Sequence, residues 1–217
     1  SEMCIRDRGW GVEQQITCVD GSTFQMYMAN MKSIFMDMIK NTDMVIFNRC
    51  KKEDPLPTYR RGIKVANQRA EVIFEDEEGE LGDIFQDEMP FDMNAPVIEI
   101  LPEDYGIWFV DAMDHPENYE GKTVKFKARV MKPRGMGSKF FVPGRTAMTC
   151  CADDTTFLGY VCKSAYAPKL TPGEWVEVTA KVGIEKRNEY QGEEGIVLAA
   201  EHVEQCDPLE DEMVYFN

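Results

Sequence analysis

The residues best equipped for chemistry in this chain lie between Phe140 and Lys163, in FFVPGRTAMTCCADDTTFLGYVCK. Cys150 and Cys151 are adjacent, Asp154 follows three residues on, and Cys162 closes the stretch. Thiolates are soft ligands suited to zinc or Cu(I), and a carboxylate can join them. The spacing sets a condition, because neighbouring residues of a strand point to opposite faces. Cys150 and Cys151 can share one ion only if the chain turns or bulges, which Ala152-Asp153-Asp154 permits. Asp153, Asp154 or His202 could supply a fourth ligand. Two alternatives stand beside metal binding: cysteines packed as small hydrophobes, or a vicinal thiol pair used in redox chemistry. The spacing leaves all three open.

A second cluster is Asn48-Arg49-Cys50-Lys51, directly after the apolar run Met44-Val45-Ile46-Phe47. It sits where GTPases keep an Asn-Lys-x-Asp motif that reads guanine. Arg49 could stack on a base, but Lys51 offers no acceptor in place of the Asp. An ordinary strand-to-helix loop is the alternative. Gly121-Lys122-Thr123 is not a phosphate loop: position 116 is Pro where that motif needs Gly. Lys122 also opens a strand rather than a helix, so no helix N-terminus meets a phosphate. His115 and His202 have no acid–base partner visible in the sequence, and paired acids such as Glu193-Glu194 are common in so acidic a chain.

The elements that must position these residues fall into two kinds. Gln15 to Val19 reads as a buried strand, with Ser22 or Thr23 capping a following helix. Phe24, Tyr27, Met28, Met31, Phe35, Met38 and Ile39 recur at helical spacing and predict one packed face. Strands at 44–47 and 72–74 flank a helix over 55–70, the alternation of a parallel α/β layer. Glu75 to Asp83 reads as an acidic, solvated loop. A strand at 96–101 and a helix over 103–113 follow. After Tyr119 the pattern changes. Val124, Phe126, Ala128 and Val130 alternate with Lys125, Lys127 and Arg129, and Val176, Val178, Ala180 and Val182 repeat that alternation. With short strands at 139–142, 145–149, 158–162 and 196–203, this predicts a small antiparallel barrel or sandwich.

With 217 residues, the chain suits one large domain or two small ones. A formal charge of −15 and a pI near 4.6 argue against a nucleic-acid or anionic-membrane partner. No run reaches the ~18 apolar residues that span a bilayer. Seven cysteines without regular spacing speak for reduced thiols and a cytoplasmic location rather than a disulfide scaffold. Ser1 to Arg8 (SEMCIRDR) reads as translated adapter sequence, artefactual or disordered, with the natural N-terminus truncated.

Two resemblances add to this reading. GWGVEQQITCVDGSTFQMYMANM, NTDMVIFNRC and IKVANQRAEVIFE together resemble the C-terminal half of a CobW/HypB/UreG-type GTPase, over about residues 9–95. Such proteins resemble metallochaperones that couple nucleotide hydrolysis to metal delivery. The family's phosphate loop and metal motif would lie upstream, so the resemblance implies GTP as a ligand of the intact parent only and no hydrolysis by this chain alone. Residues from about 104 to 216 are similar to the soluble domain of the YcgQ-type permease-subunit family. YEGKTVKFKARV, GEWVEVTAKV, VYF and the R-x-x-x-x-C-C-x-x-D pattern of Arg145, Cys150, Cys151 and Asp154 carry that similarity.

The expected fold is α/β plus β: a partial parallel nucleotide-binding layer over 9–115, then an OB-like barrel over 116–217. The leading functional expectation is a fragment of a CobW-like GTP-binding protein in metal handling. Asn48 and Arg49 would face the nucleotide; Cys150, Cys151, Cys162 and Asp154 would hold zinc or another thiophilic metal for a metal-receiving protein or permease. The alternative is a non-enzymatic interaction module of a permease system with structural or redox cysteines.

Overall fold

The computed structural model describes residues 11–82, 89–151 and 154–215, and describes Cys150 and Cys151 as strand without their side chains. The adapter-like Ser1–Arg8 lies outside the described residues. Two compact units divide the chain between residues 87 and 88, with Thr149–Cys151 grouped with the first.

The first unit is a parallel three-stranded sheet in the order β1 (Ile16–Asp20), β2 (Met44–Asn48), β3 (Glu71–Phe74). Helices α1 (Gly21–Ile39) and α2 (Leu56–Ala66) make the crossovers. Register puts Val19, Phe47 and Phe74 side by side, and all three are buried with Phe24, Ile39, Tyr59 and Ile63. The Phe24 ring stands edge-on to Phe35, Phe47 and Tyr59, with centroids 5.1, 4.9 and 4.5 Å away, the arrangement the ring quadrupoles favour. At the far ends of the helices Asn67 Nδ2 donates to both Ile39 O and Thr42 O at 2.8 Å. It thereby answers carbonyls that a helix end leaves unpaired.

Helix α1 departs from its expected pattern. Its cap is Asp20 rather than Ser22 or Thr23, and Asp20 Oδ1 accepts from the Ser22 backbone N–H at 3.0 Å. Met31 leaves helical geometry (φ −137°, ψ 33°). A kink of that kind rotates the second half of the helix against the first. Phe24 and Ile39 of the expected stripe are buried with Met28 and Phe35 packed against the core, Met36 is buried beside them, and Tyr27, Met31 and Met38 are exposed.

The second unit is a closed barrel. Strands β5 (Thr123–Met131), β6 (Phe140–Cys151), β8 (Val161–Lys163), β10 (Glu194–Gln205) and β9 (Trp175–Lys186) form a ring that closes from β9 back to β5. Within it β8 and β10 run parallel and the other pairs antiparallel, which is the five-stranded OB order. Strand β7 (Asp154–Gly159) pairs with β6, β4 (Ile98–Glu99) extends the sheet beyond β5, and β11 (Met213–Val214) lies beside β6. The two alternating strands behave as expected: Val124, Phe126, Ala128, Val130, Val176, Val178, Ala180 and Val182 are all buried. The expected pair of strands at 139–142 and 145–149 is one continuous β6. Gly144 lets β7 lie close against it, because a Cβ there would collide with Leu158 O and the Phe157 ring.

Helix α3 (Tyr105–Asp114) packs into this barrel. Trp108 is fully buried, its ring 5.4 Å from Tyr105, 4.9 Å from Phe126 and 5.6 Å from Tyr160. Tyr105 Oη donates to Leu158 O at 3.0 Å and Tyr160 Oη to Phe109 O at 2.5 Å. A helix so tied to barrel strands belongs with the barrel. The compact division falls between residues 87 and 88, whereas the sequence expectation of 9–115 and 116–217 rested on the change of periodicity after Tyr119. An amphipathic helix looks the same whichever neighbour it covers.

Candidate functional site

Strand β6 holds the thiol cluster. Cys150 and Cys151 are its last two residues, Asp154 opens β7, and Cys162 is the middle residue of β8. Register pairs Cys162 with Phe141, so it stands at the start of β6 whereas the cysteine pair ends that strand. Pairing does not bring Cys162 to Cys150 and Cys151. Cys162 is fully buried and its thiol is pushed up to about 12 by desolvation, because an apolar surround disfavours the thiolate. That environment suits a packed neutral thiol better than a metal ligand. Among the described residues no group of three His, Cys, Asp or Glu could hold a metal ion. The side chains of Cys150 and Cys151 lie outside those residues, as does Asp153.

The motif's arginine has a different task. Arg145 is 2% exposed. Its guanidinium donates to three main-chain carbonyls: Nη1 to Pro102 O, and Nη2 to Asp211 O at 3.0 Å and Met213 O at 3.1 Å. The Tyr105 ring lies 5.6 Å beneath it. Burial pushes the guanidinium pKa down, yet a planar fork with five donors can bond several carbonyls at once where an ammonium cannot. One side chain therefore ties β6, the turn before α3 and the C-terminal strand β11 together. In the sequence Arg145 stands out only through the pattern shared with the YcgQ-type family; its partners, 43 to 68 positions away, carried no local signal.

In the first unit Asn48 ends β2, paired with Asp20 at the end of β1, and Arg49 follows it. Arg49 has φ 54°, the left-handed region that is costly for a residue with a Cβ. Its Nη1 donates to Asp20 Oδ2 at 2.8 Å, and this ion pair is largely exposed. Asp20 thus serves both the helix cap and Arg49, and hydrogen bonding from Ser22 holds its carboxyl below the usual 3.8. Neither role of Asp20 is among the sequence expectations, which place the cap at Ser22 or Thr23. Asn48 Oδ1 is buried without a partner. Cys50 is buried, its thiol pushed up to about 11 by desolvation, and its Sγ would lie 2.7 Å from a Cβ on Gly21. Arg49 can stack on a ligand only by leaving Asp20.

The comparisons with known proteins bear mainly on the barrel. The model of the DUF1980 C-terminal domain matches residues 80–216. The chain belongs to this family. It is a permease-associated family, and its match begins upstream of β4 and α3, in agreement with their packing on the barrel. No curated protein matches the chain. Among solved structures it is similar to Rim1, a mitochondrial single-stranded DNA binding protein from S. cerevisiae. Identity there is 10% over 41% of this chain and 97% of that one, with a TM-score of 0.25. It is also similar to an aspartyl tRNA synthetase from Entamoeba histolytica, at 15% identity over 54% of this chain and 27% of that one, with a TM-score of 0.28. Likeness at these scores carries no argument about what this DUF1980 domain binds. Among the described residues no helix is long and apolar enough to cross a membrane.

Proposed function

We propose that this chain is a non-enzymatic interaction module of a permease system, with the DUF1980 barrel as the docking part. Membership of a permease-associated family carries this reading. The packing of the barrel supports it: Arg145, Tyr105 and Tyr160 spend their polar atoms on main-chain carbonyls, and Cys162 is a packed thiol. Those groups build a rigid platform rather than a reacting centre. The test is photo-crosslinking in cells from a benzophenone amino acid at Tyr166 or Tyr215, both about half exposed on the barrel unit. The expected product is an adduct with an integral membrane permease subunit. Adducts with water-soluble proteins alone would overturn the reading.

The GTP-binding and metal-handling reading rests on the resemblance of residues 9–95 and on the Cys150–Cys151 pair. It calls for near-stoichiometric zinc or copper that is lost in the C150S/C151S double variant, with Asp154 rather than the buried Cys162 as the nearby third ligand. Metal analysis of protein purified under reduction separates the two readings.

A further inference from the structure

The barrel carries a second feature, remote in sequence from the cysteine motif. The β5–β6 loop and the β9–β10 loop face each other across a cleft of about 540 Å³, lined by Pro133–Met136 on one side and Lys186–Glu189 on the other. That volume is in the range of small-molecule sites. The lining contains three cations, Arg134, Lys186 and Arg187, against one carboxylate, Glu189. Glu185 and Glu194 stand just outside the lining, 3.8 Å from Arg187 and 3.9 Å from Lys186, so the cation with no carboxylate in an ion pair among the described residues is Arg134.

Both walls are anchored. Lys132 Nζ, at the root of the first loop, donates to Ala167 O and Leu170 O at 2.6 Å each. Gly135 supplies the left-handed turn (φ 85°). On the other wall Arg187 lies 4.3 Å over the Phe140 ring and is held by Glu189 through two hydrogen bonds of 3.2 and 3.0 Å. The loop beyond it closes on itself through Gly192 N–H to Arg187 O at 2.8 Å. Arg187 and Glu189 satisfy each other and form part of the wall. Arg134 on one anchored wall is exposed, and Lys186 on the other, with 71% of its side chain exposed, can exchange its long contact with Glu194 for a ligand.

We propose that this cleft binds a compact oxyanion, a phosphate or a dicarboxylate, between Arg134 and Lys186. Arg134 offers a planar fork that matches either group in a bidentate manner, and Lys186 adds a mobile point charge. Fixed loops spare the ordering cost that a flexible site would bear on binding. The assignment is independent of the permease partner.

The test is an NMR titration of the isotope-labelled full chain with inorganic phosphate and, separately, with malonate, each against sodium chloride of equal ionic strength. The expected result is saturable shifts confined to 133–136 and 186–189 at millimolar ligand, with at least about tenfold weaker binding in R134Q/K186Q. The stronger probe tells phosphate from carboxylate chemistry. Both side chains are surface groups, so the double variant should melt with the wild type, which separates lost binding from lost folding. Shifts matched by chloride, or binding unchanged in the double variant, would overturn the proposal.

Discussion

Arg145→Met is the most informative single perturbation of this barrel. Three hydrogen bonds from a charged donor contribute about 1.5–3 kcal/mol each, or roughly 4–9 kcal/mol gross. Against that stands the cost of keeping a guanidinium at 2% exposure with no carboxylate among its three carbonyl partners, several kcal/mol for a buried ion. Methionine restores the apolar stem but leaves three carbonyls without their donor. The balance is a loss of about 3 kcal/mol, near 10 °C in melting temperature for a domain of this size. The loss has a local signature, because two of the three acceptors, Asp211 O and Met213 O, belong to the C-terminal segment. Amide exchange at 211–215 should accelerate more than exchange in β9 or β10. Urea unfolding and hydrogen exchange on the same samples read both effects. A variant as stable as wild type, with its C-terminal amides equally protected, would refute the clamp: desolvation would then cost as much as the three bonds return.

Three further outcomes follow from the packing. Trp108→Ala removes a fully buried ring from the contact with Tyr105, Phe126 and Tyr160, and should cost about 3–5 kcal/mol by chemical denaturation. Among the described cysteines, alkylation of the native chain at pH 8 should mark exposed Cys18 first. Cys50 and Cys162, with pKa values pushed up to about 11 and about 12, are thiolate only to about one part in a thousand and one in ten thousand. Their labelling, followed by peptide mass spectrometry, should keep rising with pH beyond 9. Asp20→Asn should lower the melting temperature at neutral pH and make little difference in acid. The folded-state pKa of Asp20 lies below 3.8, so the carboxylate stabilises the fold above that value and the contribution is lost as pH falls through the folded pKa.

Periodicity alone predicted the two kinds of architecture. The alternation of 123–130 and 175–182 makes one face of each strand apolar, and no arrangement but a covered sheet face satisfies it. The strand–helix–strand rhythm of 16–74 likewise required a parallel layer, since parallel neighbours need a crossover between them. Local chemistry also named the cysteines and the Asn48–Arg49 pair, and a family resemblance named Arg145. What those residues touch was decided only by tertiary structure. Barrel closure set Cys162 against Phe141, at the other end of β6 from Cys150, and brought Arg145 to carbonyls more than 40 residues away. Packing of α1 on the sheet took Met36 into the core and left Tyr27 and Met38 exposed. Helix α3 joined the barrel because Tyr105 and Trp108 found partners there. The cleft of Arg134 and Lys186 exists because a ring of strands brings its first and last hairpin loops face to face. Side-chain type and spacing report what a residue can do, whereas strand register and loop closure fix which distant groups it meets.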